Sequence, residues 1–96
     1  MRISQEKRDF LIQHIQKILP ESKIYLFGSR VNDKARGGDI DILILADRKL
    51  SLKEKLGIKR TFWNEFGEQK LDLISMKYDE KSAFRKVALK ESCLLT

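Results

Sequence analysis

The sequence predicts a small two-layer α/β domain with a mixed central sheet, and three observations lead to this prediction. Segments with helical periodicity alternate with short apolar segments, in the order α-β-α-β-α-β-α. The length of 96 residues suits a single domain over residues 1–96, and a composition that is 42% hydrophobic and 35% charged suits one modest core. One strand near the middle of the chain is apolar on both faces, which is typical of a central strand.

The first two predicted elements are a helix over residues 4–19 and a strand over residues 23–27. Ser4 is a typical N-cap residue, and Pro20 lies just past the helix end, where it blocks continuation. The strand segment alternates and is rich in residues that favour β-structure. Helical spacing relates Lys7, Leu11, Ile15 and Ile18.

The middle of the chain predicts three more elements. Residues 29–35 indicate a short helical turn, residues 40–46 a buried strand, and residues 51–66 a helix that Gly57 weakens by about 1 kcal/mol relative to alanine. The residues expected on the inward side of this helix are Leu52, Leu56, Trp63 and Phe66.

The last part of the chain predicts a third strand over residues 70–75 and a final helix over residues 79–90. Leu94 and Leu95 suggest a short terminal extension. Three strands covered by helices therefore make up the predicted sheet and its second layer.

Composition limits the classes of function. The net charge of +6 favours anionic partners, although the cations are scattered rather than gathered in one stripe. No apolar run approaches the roughly 20 residues of a membrane span, and the N-terminus has no signal-peptide core. The single cysteine, Cys93, excludes an internal disulfide bond. These features predict a cytoplasmic protein.

Carboxylates lie within the apolar strands. Asp39 and Asp41 point the same way because side chains alternate along a strand, and their Cα atoms are about 6.6 Å apart. Asp72 lies in the third apolar strand. It can lie beside Asp39 and Asp41 if the third strand is a neighbour of the second. Three crowded carboxylates repel each other unless a cation neutralises them, and oxygen ligands suit Mg²⁺ or Mn²⁺. The alternative is that the three are polar strand ends on a solvated surface.

A Gly-Ser pair precedes these carboxylates. Gly28 allows close approach to the backbone, and Ser29 offers a hydroxyl and an N–H at the start of a helical turn. An anion-binding turn that faces a metal site is what a nucleoside triphosphate requires. The alternative for Gly-Ser alone is an ordinary strand-to-helix cap.

The stretches "FGSRVNDKARGGDIDIL" and "QKLDL" resemble the minimal nucleotidyltransferases of the DNA polymerase beta-type superfamily. The resemblance covers nearly the whole chain. It implies that Gly28 and Ser29 hold the triphosphate and that Asp39 and Asp41 bind Mg²⁺. It also implies that Asp72 completes the metal site and helps to activate an acceptor hydroxyl.

Arg30 follows the Gly-Ser pair and is common there in the resembling group. It is interpreted as a phosphate contact, with a surface salt bridge as the alternative.

The resemblance also implies a reaction and a partner. Many minimal nucleotidyltransferases resemble antitoxins that are paired with a HEPN-type toxin and transfer AMP from ATP to it. The resemblance therefore implies that this protein is a metal-dependent nucleotidyltransferase that acts as an antitoxin. Because a single domain leaves no second domain to hold the acceptor, a helical partner protein is expected to supply it. One alternative is an interaction protein that neutralises its partner by contact alone. A weaker alternative is a small nucleic-acid-binding module, since carboxylates would repel backbone phosphates unless metal were bound.

Overall fold

A computed structural model describes residues 3–27, 40–80, 86, 89–90 and 92–96 of the protein. The elements in these ranges are α1 (Gln5–Ile18), β1 (Lys23–Phe27), β2 (Ile40–Ala46), α2 (Leu52–Phe66), β3 (Leu71–Lys77) and β4 (Cys93–Leu94). Both strands β1 and β2 have the predicted bounds, and β3 runs two residues beyond its predicted end. None of the helices in the described ranges has the length and apolar content that a membrane span requires.

The sheet has the strand order β3-β2-β1-β4. Strand β2 pairs in parallel with β3 and antiparallel with β1, so the prediction of a mixed sheet with a central β2 is confirmed. The terminal extension forms a fourth strand, in which Leu94 lies opposite Tyr25 of β1. Three predicted strands thus become four, because two residues of backbone are enough to pair with the open edge of β1.

Helix α1 begins as the sequence predicts. The Ser4 hydroxyl accepts a hydrogen bond from the backbone N–H of Lys7 at 3.2 Å. The helix ends at the C-cap residue Leu19, directly before Pro20. The buried side of α1 consists of Phe10, Leu11 and Ile15.

Helix α2 is rotated relative to the prediction, which was wrong for three of its four inward residues. Leu52, Leu56 and Trp63 are 71%, 50% and 39% exposed. The buried residues are instead Ile58 and Phe62, with Phe66 partly buried. This helix carries two apolar stripes, one with Leu52 and Leu56 and the other with Ile58 and Phe62. A helix turns by about 100° per residue, which places the two stripes roughly 100° apart around its axis. The stripe with Phe62 turns inward because its ring packs edge-on against the ring of Phe10, with centroids 5.5 Å apart.

Two hydrophobic clusters lie on opposite faces of the sheet. The main cluster packs α1 and α2 against alternate residues of the strands, such as Ile42 and Leu73. The second cluster is centred on Leu43 and Leu45 of β2, and Leu89 packs against it. This explains why β2 is apolar on both faces, since each face meets a separate cluster.

Two predicted helical segments fall wholly or mostly outside the described residues. The turn over residues 29–35 lies outside them, as does most of the helix over residues 79–90. Lys86, Leu89 and Lys90 are helical. Asp79 lies in a turn and Glu80 has no regular structure, so the final helix does not begin at residue 79 as predicted.

Candidate functional site

Asp41 and Asp72 lie side by side at one end of the sheet. They are direct register partners in the parallel pairing of β2 and β3, so their Cα atoms are about 4.8 Å apart. Both side chains are half-buried. The expectation that Asp72 lies beside the Asp-Ile-Asp motif is therefore met for Asp41, which is paired with a residue 31 positions later in the sequence.

Both carboxylates face away from α1 and α2. Asp41 alternates along β2 with residues of the main core, and it shares its face with Leu43 of the second cluster. Asp72 in turn shares its face with Ile74, which packs against that second cluster. Strand alternation thus places the two carboxyl groups on one face, above an apolar layer that is continuous with the second cluster.

The end of β1 reaches the same place. Phe27, the last residue of β1, is the register partner of Asp41. Gly28, Ser29 and Arg30 follow Phe27 directly in the sequence and lie outside the described residues, as does Asp39. Their predicted roles remain predictions. The described strands show that the chain enters and leaves residues 28–39 beside the Asp41–Asp72 pair.

The segment from residue 67 to residue 70, which leads into β3, is held in place near the two carboxylates. The backbone N–H of Ile40 donates to the carbonyl of Lys70 at 2.9 Å, which joins the beginnings of β2 and β3. The indole N–H of Trp63 donates to the carbonyl of Gln69 at 2.6 Å, and the ammonium group of Lys7 donates to the Gln69 side chain at 3.0 Å. These bonds fix the start of the strand that carries Asp72.

Sequence reasoning did not identify these supporting residues. Helical spacing predicts a core position for Trp63, and Gln69 lies in a short polar loop that carries no motif. The one available signal was the position of Gln69 just before "KLDL", next to the strand that carries Asp72.

The donor set favours a hard cation. Asp41 and Asp72 supply oxygen ligands, which Mg²⁺ and Mn²⁺ prefer. The nitrogen and sulfur candidates are placed elsewhere: His14 of α1 stacks on Phe10 with ring centroids 3.9 Å apart, and Cys93 lies in β4. Within the described ranges no three His, Cys, Asp or Glu residues are grouped closely enough to hold a metal ion. The predicted third member, Asp39, lies outside those ranges.

The family model described as polymerase beta, nucleotidyltransferase matches residues 11–96 of this chain. The chain belongs to this nucleotidyltransferase family. The enzyme class predicted from the Gly-Ser and Asp-Ile-Asp motifs is thereby confirmed. A comparison with curated proteins gave no significant match.

Several solved structures of similar fold are toxin–antitoxin complexes. One is a tri-AMPylated HEPN toxin with its MNT antitoxin from Shewanella oneidensis, which matches with a TM-score of 0.71 and 20% identity over 98% of this chain and 72% of that chain. A toxin–antitoxin complex with AMP-PNP matches with a TM-score of 0.72 and 20% identity over 93% and 72% of the two chains. A MntA–HepT complex gives a TM-score of 0.68 and 19% identity over 97% and 72%. These likenesses confirm the predicted fold class.

Proposed function

We propose that this nucleotidyltransferase transfers AMP from ATP to a hydroxyl group on a partner protein, and that the partner is a HEPN-type toxin. The protein then acts as an antitoxin, with one domain over residues 1–96 carrying the activity. The observation that carries the proposal is the pairing of Asp41 in β2 with Asp72 in β3. This pair lies beside the last residue of β1, and the Gly-Ser motif follows that residue directly in the sequence. Further support comes from a structural neighbour that contains a tri-AMPylated HEPN toxin.

The proposed reaction is an attack on the α-phosphorus of ATP. The acceptor oxygen forms a bond to the α-phosphorus, and the bond from that phosphorus to the oxygen bridging it to the β-phosphorus breaks. Pyrophosphate leaves with the electron pair. The proton of the acceptor hydroxyl passes to a carboxylate oxygen of Asp72, whose position beside Asp41 keeps it at the reaction centre. Holding the acceptor in line supplies a large share of the rate, and the partner's surface does this.

The nucleotide-binding residues are Gly28, Ser29 and Arg30. Gly28 and Ser29 hold the triphosphate through backbone N–H groups and the serine hydroxyl, and Arg30 contacts a phosphate. The proposal is supported by connectivity, since Gly28 is bonded to Phe27, whose register partner is Asp41.

The metal ligands are Asp39, Asp41 and Asp72, with Mg²⁺ as the cation or Mn²⁺ in its place. The fit rests on two half-buried carboxylates in register on neighbouring strands, which supply the oxygen ligands that Mg²⁺ prefers. When bound, Mg²⁺ orients the phosphates and offsets the negative charge that develops on them.

The test uses the full chain, ATP labelled on the α-phosphate, Mg²⁺ and a candidate HEPN-type partner. Mass spectrometry of the partner should show gains of one or more AMP units. Asp41→Asn should abolish the gain while circular dichroism shows an unchanged fold. The matched control is Asp47→Asn, which alters an exposed aspartate just beyond the other end of β2 and should keep full transfer.

Two results would contradict the proposal. Full transfer by folded Asp41→Asn protein would remove this carboxylate from the reaction. Neutralisation of the partner without any mass gain, by the original protein and the variant alike, would favour the interaction protein that acts by contact alone.

A further inference from the structure

The outward side of α2 carries an apolar stripe that the fold does not use. Leu52 and Leu56 are one helical turn apart, and they are 71% and 50% exposed. A single exposed leucine is ordinary, but two neighbours on one ridge form a patch that helix packing can use. This stripe lies about a quarter turn away from Phe62, so the packing that buries Phe62 leaves it outside.

Two depressions adjoin the stripe and meet at Gly57. The first has a volume of about 420 Å³ and is lined by Leu52, Lys53, Leu56, Gly57 and Arg60. The second, of about 380 Å³, runs between α1 and α2, and its lining includes Ile18 and Lys17 as well as Lys53 and Gly57. Apart from its chain neighbours and the backbone of its own helix, no described atom lies within 4 Å of the place where a β-carbon of Gly57 would be. The backbone of an approaching helix therefore has room at this point.

The rim of these depressions is positively charged. Lys17, Lys53 and Arg60 line it, and all three are exposed. The lining carboxylate, Glu54, is already bound by Arg48 through two hydrogen bonds of 2.9 Å. Within the part of the chain that the structure describes, none of the three rim cations forms an ion pair. An acidic partner is therefore the complement of this surface.

We propose that the Leu52–Leu56 stripe and its cationic rim bind an acidic amphipathic helix of a partner protein. The apolar side of that helix packs on the two leucines and over Gly57, and its carboxylates pair with Lys53 and Arg60. This is the helix-in-groove mode of recognition, with anchors at i and i+4. The floor of the first depression is aliphatic, which favours a protein helix over single-stranded nucleic acid, because nucleic acid stacks on aromatic rings.

The surface lies away from the carboxylates. Helix α2 begins after the end of β2 that is opposite Asp41, and it returns to the carboxylate end only at Phe66. A partner held at the start of α2 leaves Asp41 and Asp72 open to an acceptor hydroxyl. That the partner is the AMP-accepting protein rests on the proposed function, whereas the binding of an acidic helix does not.

The experiment measures binding of two fluorescently labelled helical peptides to the full chain by anisotropy, without ATP or metal. One peptide carries leucines at i, i+4 and i+7 with flanking glutamates, and the other replaces the glutamates with lysines. The acidic peptide should bind about tenfold or more tightly than the basic one. Leu52→Gln/Leu56→Gln should weaken its binding about tenfold or more, and Lys53→Glu/Arg60→Glu should reverse the preference for charge.

Gly57→Met separates binding from folding. A β-carbon at this position meets no neighbour outside its own helix, the longer methionine side chain extends into the junction of the two depressions, and methionine is a better helix former than glycine. It should raise the melting temperature and weaken the acidic peptide about tenfold. The matched control, Leu94→Gln, changes a leucine that is 50% exposed on β4 and should leave binding unchanged.

Several outcomes would overturn the proposal. Equal binding of the two peptides, or unchanged binding by Gly57→Met protein, would remove the groove as a helix site. A dimer seen by sedimentation and abolished by Leu52→Gln/Leu56→Gln would make a second copy the occupant. A single-stranded RNA could compete with the acidic peptide for binding. If this competition is lost in the Lys53→Glu/Arg60→Glu protein but kept in the Leu52→Gln/Leu56→Gln protein, the surface binds nucleic acid instead. Failure of AMP transfer with intact peptide binding would contradict the proposed function alone.

Discussion

At the scale of single residues, Glu54 has the most strongly perturbed titration among the described residues. Both nitrogens of the Arg48 guanidinium fork donate to its carboxylate at 2.9 Å, and the backbone N–H of Ser51 donates to it at 2.8 Å. The Ser51 hydroxyl accepts from the N–H of Glu54 in return, which completes a capping box at the start of α2. The Arg48 hydrogen bonds, followed by the Ser51 backbone bond, lower the pKa of Glu54 from 4.5 to about 2.

This shift predicts a dependence of stability on pH. Because the pKa of Glu54 is lower in the folded protein than in the unfolded one, its stabilisation is complete above pH 4.5 and is lost as the pH falls to about 2. Glu54→Gln keeps an acceptor for the Ser51 N–H but removes the charge that pairs with Arg48. The melting temperature of the variant should be lower at pH 7, and the difference should close between pH 4.5 and 2.

The control for this prediction is Glu65→Gln, on an exposed site of the same helix. It should show no such pH-dependent gap in the melting temperature. A constant gap between the Glu54→Gln variant and the original protein down to pH 2 would show that the carboxylate stabilises α2 by some means other than its charge.

At the scale of elements, α2 contains one glycine within the helix and one at its end, and they are constrained differently. Gly57 has an open space at its β-carbon position. Gly67 is the C-cap with φ 91° and ψ 168°, and its N–H donates to the carbonyl of Trp63 at 2.8 Å. These angles belong to a region that is essentially restricted to glycine.

The two glycines should respond in opposite directions to alanine. Gly57→Ala should stabilise the protein by up to about 1 kcal/mol, since alanine is the better helix former and meets no neighbour. This corresponds to a rise of about 4–8 °C in melting temperature for a domain of this size. Gly67→Ala should destabilise it by about 1–3 kcal/mol because the positive φ strains any β-carbon. Thermal melting followed by circular dichroism measures both, and a loss of stability in Gly57→Ala would contradict the open geometry.

At the scale of the whole molecule, the last residues join the sheet to α1. Leu95 is 1% exposed in the main core, and its N–H donates to the carbonyl of Ile24 at 2.7 Å. The guanidinium group of Arg8 donates to the carbonyl of Leu95 at 2.9 Å and 3.3 Å. One residue thus connects the N-terminal helix, strand β1 and the C-terminal segment.

Neighbouring leucines of this segment should differ sharply in their effect on stability. Leu95→Ala leaves a cavity in the main core and should cost about 2–5 kcal/mol, a large part of the 5–15 kcal/mol that is typical of domain stability. Leu94→Ala alters a side chain that is 50% exposed and should change the free energy of unfolding by less than about 0.5 kcal/mol. Urea denaturation measures both. Equal effects would show that the β4 backbone pairing, rather than the buried side chain, anchors the segment.

Local sequence determined the two long helices and the three long strands that the structure describes. The bounds of β1 and β2 followed from short apolar runs, and the N-cap of α1 followed from Ser4. The Gly-Ser and Asp-Ile-Asp motifs likewise pointed to the nucleotidyltransferase family that the family model confirms. Such features act over a few residues, so they can be interpreted without knowledge of the packing.

Only the tertiary structure decided which surfaces meet. Two apolar stripes on α2 were equally eligible for burial, and the rings of Phe10 and Phe66 around Phe62 determined the choice. The meeting of Asp41 with Asp72 depends on a parallel register between segments that are separated by a whole helix. The support that Gln69 gives to the start of β3 depends in part on Lys7 of α1, which is 62 residues away in the sequence. These contacts are non-local, and no periodicity within either segment specifies its partner.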